Sequence, residues 1–244
     1  MTLADLESFL NEFLLADGFT GDQNGVYRAS SSTVNKLGLA LEPWPSITDW
    51  ITKNDLNALF LHRPWKLGAI PEGVGVLAYH YAFDERLTTG YNPLLADALG
   101  LTGLDVLGTK EGRPLGMIGD VSTVSLSEFR TQLEAEFGGL EGVYGAQTGE
   151  VSRACVVGAM RPALVYEAAE RGAQVYLTGQ YRKGAAKAVA ETGVGIFEIG
   201  HQRSEVWGLK TLAAVSREQF PGLEVVLSTP QKVKSKTDTA GFGA

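Results

Sequence analysis

The residues best placed to do chemistry in this sequence are its three histidines, His62, His80 and His201. Each follows an apolar run of strand length. His62 comes after NALFL and before Arg63 and Pro64, whereas His80 and His201 stand four residues before Asp84 and Glu205. In a helical segment a step of four puts both side chains on one face, so an imidazole and a carboxylate can converge on one ion. That donor pair suits zinc, iron or manganese better than calcium. The motif alone is weak, because His-x-x-x-Glu arises readily on surface helices and an isolated histidine is more often a packed, hydrogen-bonded residue. Position strengthens it: in open α/β folds ligands bind beyond the carboxyl ends of parallel strands, where all three histidines are expected. Gly200 permits a tight turn that aims His201 across those ends.

The segments GVGVLAYHYAFD (73–84) and GVGIFEIGHQRSE (193–205) share one plan: Gly-Val-Gly, an apolar strand, His, three residues, a carboxylate. Chance is one reading, since apolar strands are alike in composition. The other is an internal pseudo-repeat in which two related lobes each present a histidine and a carboxylate. Other chemistries have less support. No G-x-S-x-G elbow marks a serine nucleophile, no Walker phosphate loop is present, and Gly158-Ala159-Met160 does not complete a dinucleotide fingerprint. Trp65 and Trp207 lie near histidine motifs, where packing is the commoner role and ligand stacking the rarer one. Cys155, the single cysteine, sits in an apolar run and is expected to be a buried structural thiol.

The elements that must position these residues alternate between strand and helix. Leu3 to Leu15 has apolar residues at helical spacing with acids early, and strands are expected at 36–41, 58–61, 74–79, 153–157, 175–177, 194–199 and 223–227. Turn chemistry and a helix follow each later strand: Pro162 suits a first helical turn and Gly172 a helix end, as in parallel β-α-β units. The reading is therefore a two-lobed α/β fold with parallel-rich sheets and flanking helices. Its divisions are a first lobe over 1–105, a connecting region over 106–150, a second lobe over 151–230 and a flexible tail over 231–244, with a single intertwined domain as the alternative. Within the connecting region a short strand, a turn and a helix capped by Ser125 or Ser127 are expected.

At 244 residues, 44% hydrophobic and 20% charged, the chain has the composition of a protein with its own core. A formal charge of −7 opposes nonspecific binding to nucleic acid, which needs clustered cations. The N-terminus carries acids where a signal peptide needs positive charge, and no apolar run approaches membrane-spanning length, so the expectation is a cytoplasmic protein.

Together these segments resemble the dinuclear-metal family known as NGG-interacting-factor-three-like, or GTP cyclohydrolase type 2 homologues. The likeness runs through Asp22 to Gly25, LGLALE, FLHRP, HYAFDERLTTGYNPLLADALGL, EGRPLGMIG, YLTGQ and GHQRSE, in order, over nearly the whole chain. It implies a two-lobed fold, a toroidal homohexamer and divalent metal around a cavity. It also implies that His62 matches the first histidine of a His-His-Pro motif and that Asp84, His201 and Glu205 match further ligands. Arg63 stands in the second histidine's place and cannot ligate a metal. Gln180 replaces a glutamate of the family's T-G-E motif, and Lys183 stands where relatives often have histidine.

From the resemblance, one ion per chain at most is expected, on His62, His201 and Glu205, with Arg63 reaching into the second position to pair with Asp84. The alternative is an Arg63 that points to solvent and a site that holds no metal. Two functions stay open: a metal-dependent hydrolase, GTP cyclohydrolase-like, acting on a small nucleotide or phosphoester, and a noncatalytic metal-binding or regulatory ring.

Overall fold

In the computed structural model, residues 1–158 and 160–229 are described; the tail expected over 231–244 lies outside them. Helix α1 (Leu3–Phe13) is opened by a capping box, in which Thr2 accepts from the Asp5 amide and the Asp5 carboxylate accepts from Thr2, and it buries Leu3, Leu6 and Leu10. There follow β1 (Asn24–Arg28), β2 (Lys36–Ala40), α2 (Ile47–Lys53), β3 (Ala58–Leu61), β4 (Gly75–Tyr79) and α3 (Tyr81–Leu87). Next come α4 (Pro93–Ala98), β5 (Thr102–Val106), the small hairpin β6 (Thr109–Lys110) and β7 (Arg113–Pro114), β8 (Gly116–Ser125), α5 (Leu126–Phe137) and β9 (Gly142–Tyr144). The chain continues through β10 (Glu150–Val157), α6 (Pro162–Glu170), β11 (Val175–Thr178), α7 (Ala186–Thr192), β12 (Gly195–Glu198), α8 (His201–Gln219) and β13 (Glu224–Leu227).

Two sheets organise these elements. The first has five strands in the order β1-β4-β3-β2-β13, all parallel except β1. The second has six, in the order β5-β8-β10-β11-β12-β9, with β10, β11 and β12 parallel and the outer pairings antiparallel. Alternation along each strand feeds two cores per sheet. Phe60 and Tyr79 face α1, α3 and α8, whereas Leu59, Leu61 and Val76 pack with Ile47 and Ile51 of α2. Ala154 and Val156 pack toward α5, and Cys155 and Val157 toward α6 and α7. Cys155 is fully buried, and desolvation pushes its thiol up, as a structural thiol requires.

The mixed α/β architecture with helices flanking two sheets agrees with the sequence reading, and the expected strands all form. The region over 106–150 departs from it. In place of a short strand it holds the ten-residue β8, whose second half reads Asp120-Val121-Ser122-Thr123-Val124-Ser125 and is largely solvent-facing, so no apolar run announces it. Ser125 caps α5 in a capping box with Glu128. Both β8 and β9 pair within the second sheet, while β13 returns to the first sheet beside β2. Helix α8 ties the two sheets: Leu209, Leu212 and Ala213 belong to the core between α1, α3 and the first sheet, and Trp207 to the core between α5 and the second. No helix among the described residues is long and apolar enough to cross a membrane.

Candidate metal centre

The histidines converge because each follows a strand of one of the two sheets. His62 follows β3, His80 is the N-cap residue of α3 after β4, and His201 opens α8 after β12. Asp84 and Glu205 lie one turn further along α3 and α8. Those helices pack closely at Gly208, where a Cβ would stand 2.8 Å from Leu87 O and 2.9 Å from Phe83 Cζ. Gly200 has φ +98°, and a Cβ there would meet the Glu141 carboxylate, so the turn that starts α8 requires glycine.

At the centre, His62 is fully buried. Its Nδ1 lies 3.0 Å from Tyr79 O, and since a carbonyl only accepts, Nδ1 carries the proton and Nε2 presents a lone pair. That Nε2 is 3.2 Å from Glu205 Oε1 and 3.4 Å from Asp84 Oδ1. Neither approach has the direction of a hydrogen bond, and both His62 Nε2 and Asp84 Oδ1 are buried without a hydrogen-bond partner. His80 is held in the same way, with Nδ1 at 3.1 Å from Asp22 Oδ1, while the other oxygen of Asp22 accepts from the Tyr81 amide at 2.6 Å. Donation from Nδ1 to a carbonyl or carboxylate is the arrangement that orients metal-binding imidazoles. One donor atom from each of His62, His80 and Asp84 lies within 4.8 Å of the others, a group that could hold a metal ion.

Arg63 enters the site, but its partner is not the expected Asp84. Its Nη1 and Nη2 donate to the two oxygens of Glu205 at 2.5 and 3.0 Å, and Nε donates to Glu42 Oε1 at 2.6 Å. The fork geometry explains the correction: two parallel N–H groups match a carboxylate presented edge-on, and Glu205, 1% exposed, needs a compensating cation more than the partly exposed Asp84 does. His201 Nε2 also reaches Glu205 Oε1, at 3.0 Å. Gln180 and Lys183 are exposed and lie outside the cluster, and Trp207 is buried with its indole N–H donating to Glu136.

The charges follow from these contacts. Burial alone would push the Glu205 carboxyl up, but the contacts with His201 and Arg63 outweigh it and hold it below the usual carboxylate range. For Arg63 burial acts against the charged form, and the bonds to Glu205 and Glu42 prevail, so it stays a cation. Burial pushes Asp84 up, and nearby Glu205 adds to the rise while His201 opposes it. The bond to Glu205 raises His201 against a smaller opposing effect of burial. A cation is therefore firmly paired at Glu205, and lone pairs without a cation meet at His62 and Asp84. The donor set of imidazoles and a carboxylate fits one divalent transition metal.

Sequence reading brought His62, His80, Asp84, His201 and Glu205 to one place, as the structure does. It missed Asp22, which orients His80, and Glu42, which completes the clamp on Arg63. Glu42 carries one signal, its place just beyond the carboxyl end of the interior strand β2. A cavity of about 650 Å³ lies elsewhere, bordered by Glu12, Phe19, Arg86 and Arg113, and includes none of the histidines.

Known proteins share this arrangement of chain and fold. A "GTP cyclohydrolase 1 type 2 homolog" of Deinococcus radiodurans is 28% identical over 153 residues, spanning 62% of this chain and 58% of the relative's length. Its namesake in Pyrococcus horikoshii is 25% identical over 246 residues, covering 93% of this chain and 97% of the relative. The solved structure of protein ybgI, described as of unknown function, superposes with a TM-score of 0.75 at 20% identity, covering 96% of this chain and all of that one. The family Duf34/NIF3 (NGG1p interacting factor 3) matches residues 66–233, and the chain belongs to that family.

Proposed function

We propose that this protein binds one divalent transition metal per chain, on His62, His80 and Asp84, and that the loaded site hydrolyses a small nucleotide or phosphoester. The observation that carries the reading is the pair of buried, unpartnered atoms, His62 Nε2 and Asp84 Oδ1, 3.4 Å apart. Leaving two such atoms unsatisfied costs free energy that a bound ion would recover. The ligand set His62, His201 and Glu205, implied by the family resemblance, ranks second because both oxygens of Glu205 already accept from Arg63.

Zinc, iron or manganese at such a site supplies Lewis acidity and lowers the pKa of bound water. The chain's own residues supply the rest. His80 and His62 are fixed through Nδ1 by Asp22 and Tyr79 O, so the site is preorganised. His201, with its side chain 60% exposed and its pKa raised by Glu205, holds a proton at the rim and can pass it to a leaving group. Arg63 stays cationic and steadies negative charge beside the cluster.

A noncatalytic, metal-binding ring protein is the second reading, favoured by one observation: Arg63 takes the place of a ligand and occupies Glu205. The two separate on titration of zinc or manganese into metal-free protein, followed by turnover assays with nucleotide and phosphodiester panels. One ion per chain, lost in the Asp84→Asn and His62→Ala variants, with metal-dependent turnover is the expected result. One ion without turnover leaves the second reading, and no binding refutes both.

A further inference from the structure

Beside the cluster, two large aromatic rings face solvent: Trp65 is 56% exposed and Tyr81 52%. Both rest on His80. The Trp65 ring meets it edge-on, with centroids 4.9 Å apart at 82°, and the Tyr81 ring lies 4.3 Å away at 31°. His80 in turn lies 5.2 Å from His62, so the aromatic surface is continuous with the cluster.

We propose that Trp65 and Tyr81 form a stacking rim that holds a planar nitrogen heterocycle, of the nucleobase class, against the His62–His80–Asp84 cluster. This deepens the reading of the site as a metal centre and rests on it for the reaction, though not for the binding. Both rings stand on fixed backbone. Pro64 is buried and its carbonyl accepts from the Leu67 amide at 2.8 Å, which closes the turn that carries Trp65. The Tyr81 amide donates to the same Asp22 carboxylate that holds His80. A rigid, exposed aromatic loses little conformational freedom when a ligand covers it, which is the economy of a preformed platform. Stacking accepts any flat π-system, which a nucleobase offers. Trp207, by contrast, is buried with its N–H satisfied, and it offers no such face.

Guanosine, which has the base and no phosphate, is the probe, with ribose 5-phosphate as the control lacking a base. Calorimetric titration of the full chain, with and without zinc, should give saturable guanosine binding that is about tenfold or more weaker in Trp65→Ala and close to the parent in Trp65→Phe, which keeps a ring. Tyr81→Ala should weaken it in the same direction, and ribose 5-phosphate should not compete. Guanosine binding unchanged in Trp65→Ala, or no guanosine binding by protein that does take up zinc, overturns the proposal while the metal reading stands. Guanosine binding of the expected kind in protein that takes up no zinc upholds the rim and refutes the metal reading.

Discussion

A guanidinium forked onto a buried carboxylate uses both oxygens of that carboxylate, and Arg63 does this to Glu205 while its Nε engages Glu42. The pair supplies a fixed positive charge beside the cluster. Removing the cation leaves Glu205 buried, so Arg63→Ala should destabilise the protein by about 3 kcal/mol, at the low end for a broken buried pair because His201 remains beside Glu205. Chemical denaturation of both proteins measures it, and a change under about 1 kcal/mol would show that the pair is energetically idle. Arg63→His should instead admit a second ion, read as two metals per chain by titration. The substitution at 63 was legible in the sequence. Its partner was not, because Arg63 and Glu205 stand 142 positions apart and the choice between two nearby carboxylates depends on burial and on the angle of α8.

At the level of elements, apolar runs announced the buried strands, and cap and turn residues announced helices. Ser125 is such a case: it accepts from the Glu128 amide, and Glu128 accepts from the Ser125 amide. Ser125→Ala should cost about 1 kcal/mol in unfolding free energy and leave metal binding unchanged. Strands β1, β5 and β9 were invisible to the same reading, since they are sheet edges with short, mixed patterns in which pairing and not burial makes the strand. Equally hidden was the reason that α3 and α8 approach. Gly208 provides it, and Gly208→Ala should push α8 from the Leu87 carbonyl and the Phe83 ring, at a cost of about 1–3 kcal/mol. Since Phe83 precedes Asp84 on α3, the same variant should bind metal more weakly. A Gly208→Ala protein with parental stability and affinity would show that the contact is easily relieved.

Across the whole molecule, the cluster and its surroundings draw on both sheets: His62, His80 and Asp84 follow strands of the first, and His201 and Glu205 follow β12 of the second. The family resemblance implies a homohexamer, for which light scattering should give about six times the 26.1 kDa of one chain; a single-chain mass across working concentrations would refute it. Metal should also stabilise the fold as a unit. The unfolded chain scatters His62, His80 and Asp84 and binds an ion weakly, so an ion that prefers the folded state adds about 2.7 kcal/mol at a hundred times its dissociation constant. For a chain of this size that corresponds to a rise of about 5–11 °C in Tm. Helix α8 packs on one core of each sheet, which couples the cluster to both, so one shifted transition is expected and not two. Chelator should return the transition to its starting temperature, and His62→Ala should abolish the shift. A rise that survives His62→Ala would place the ion on the surface and away from this cluster.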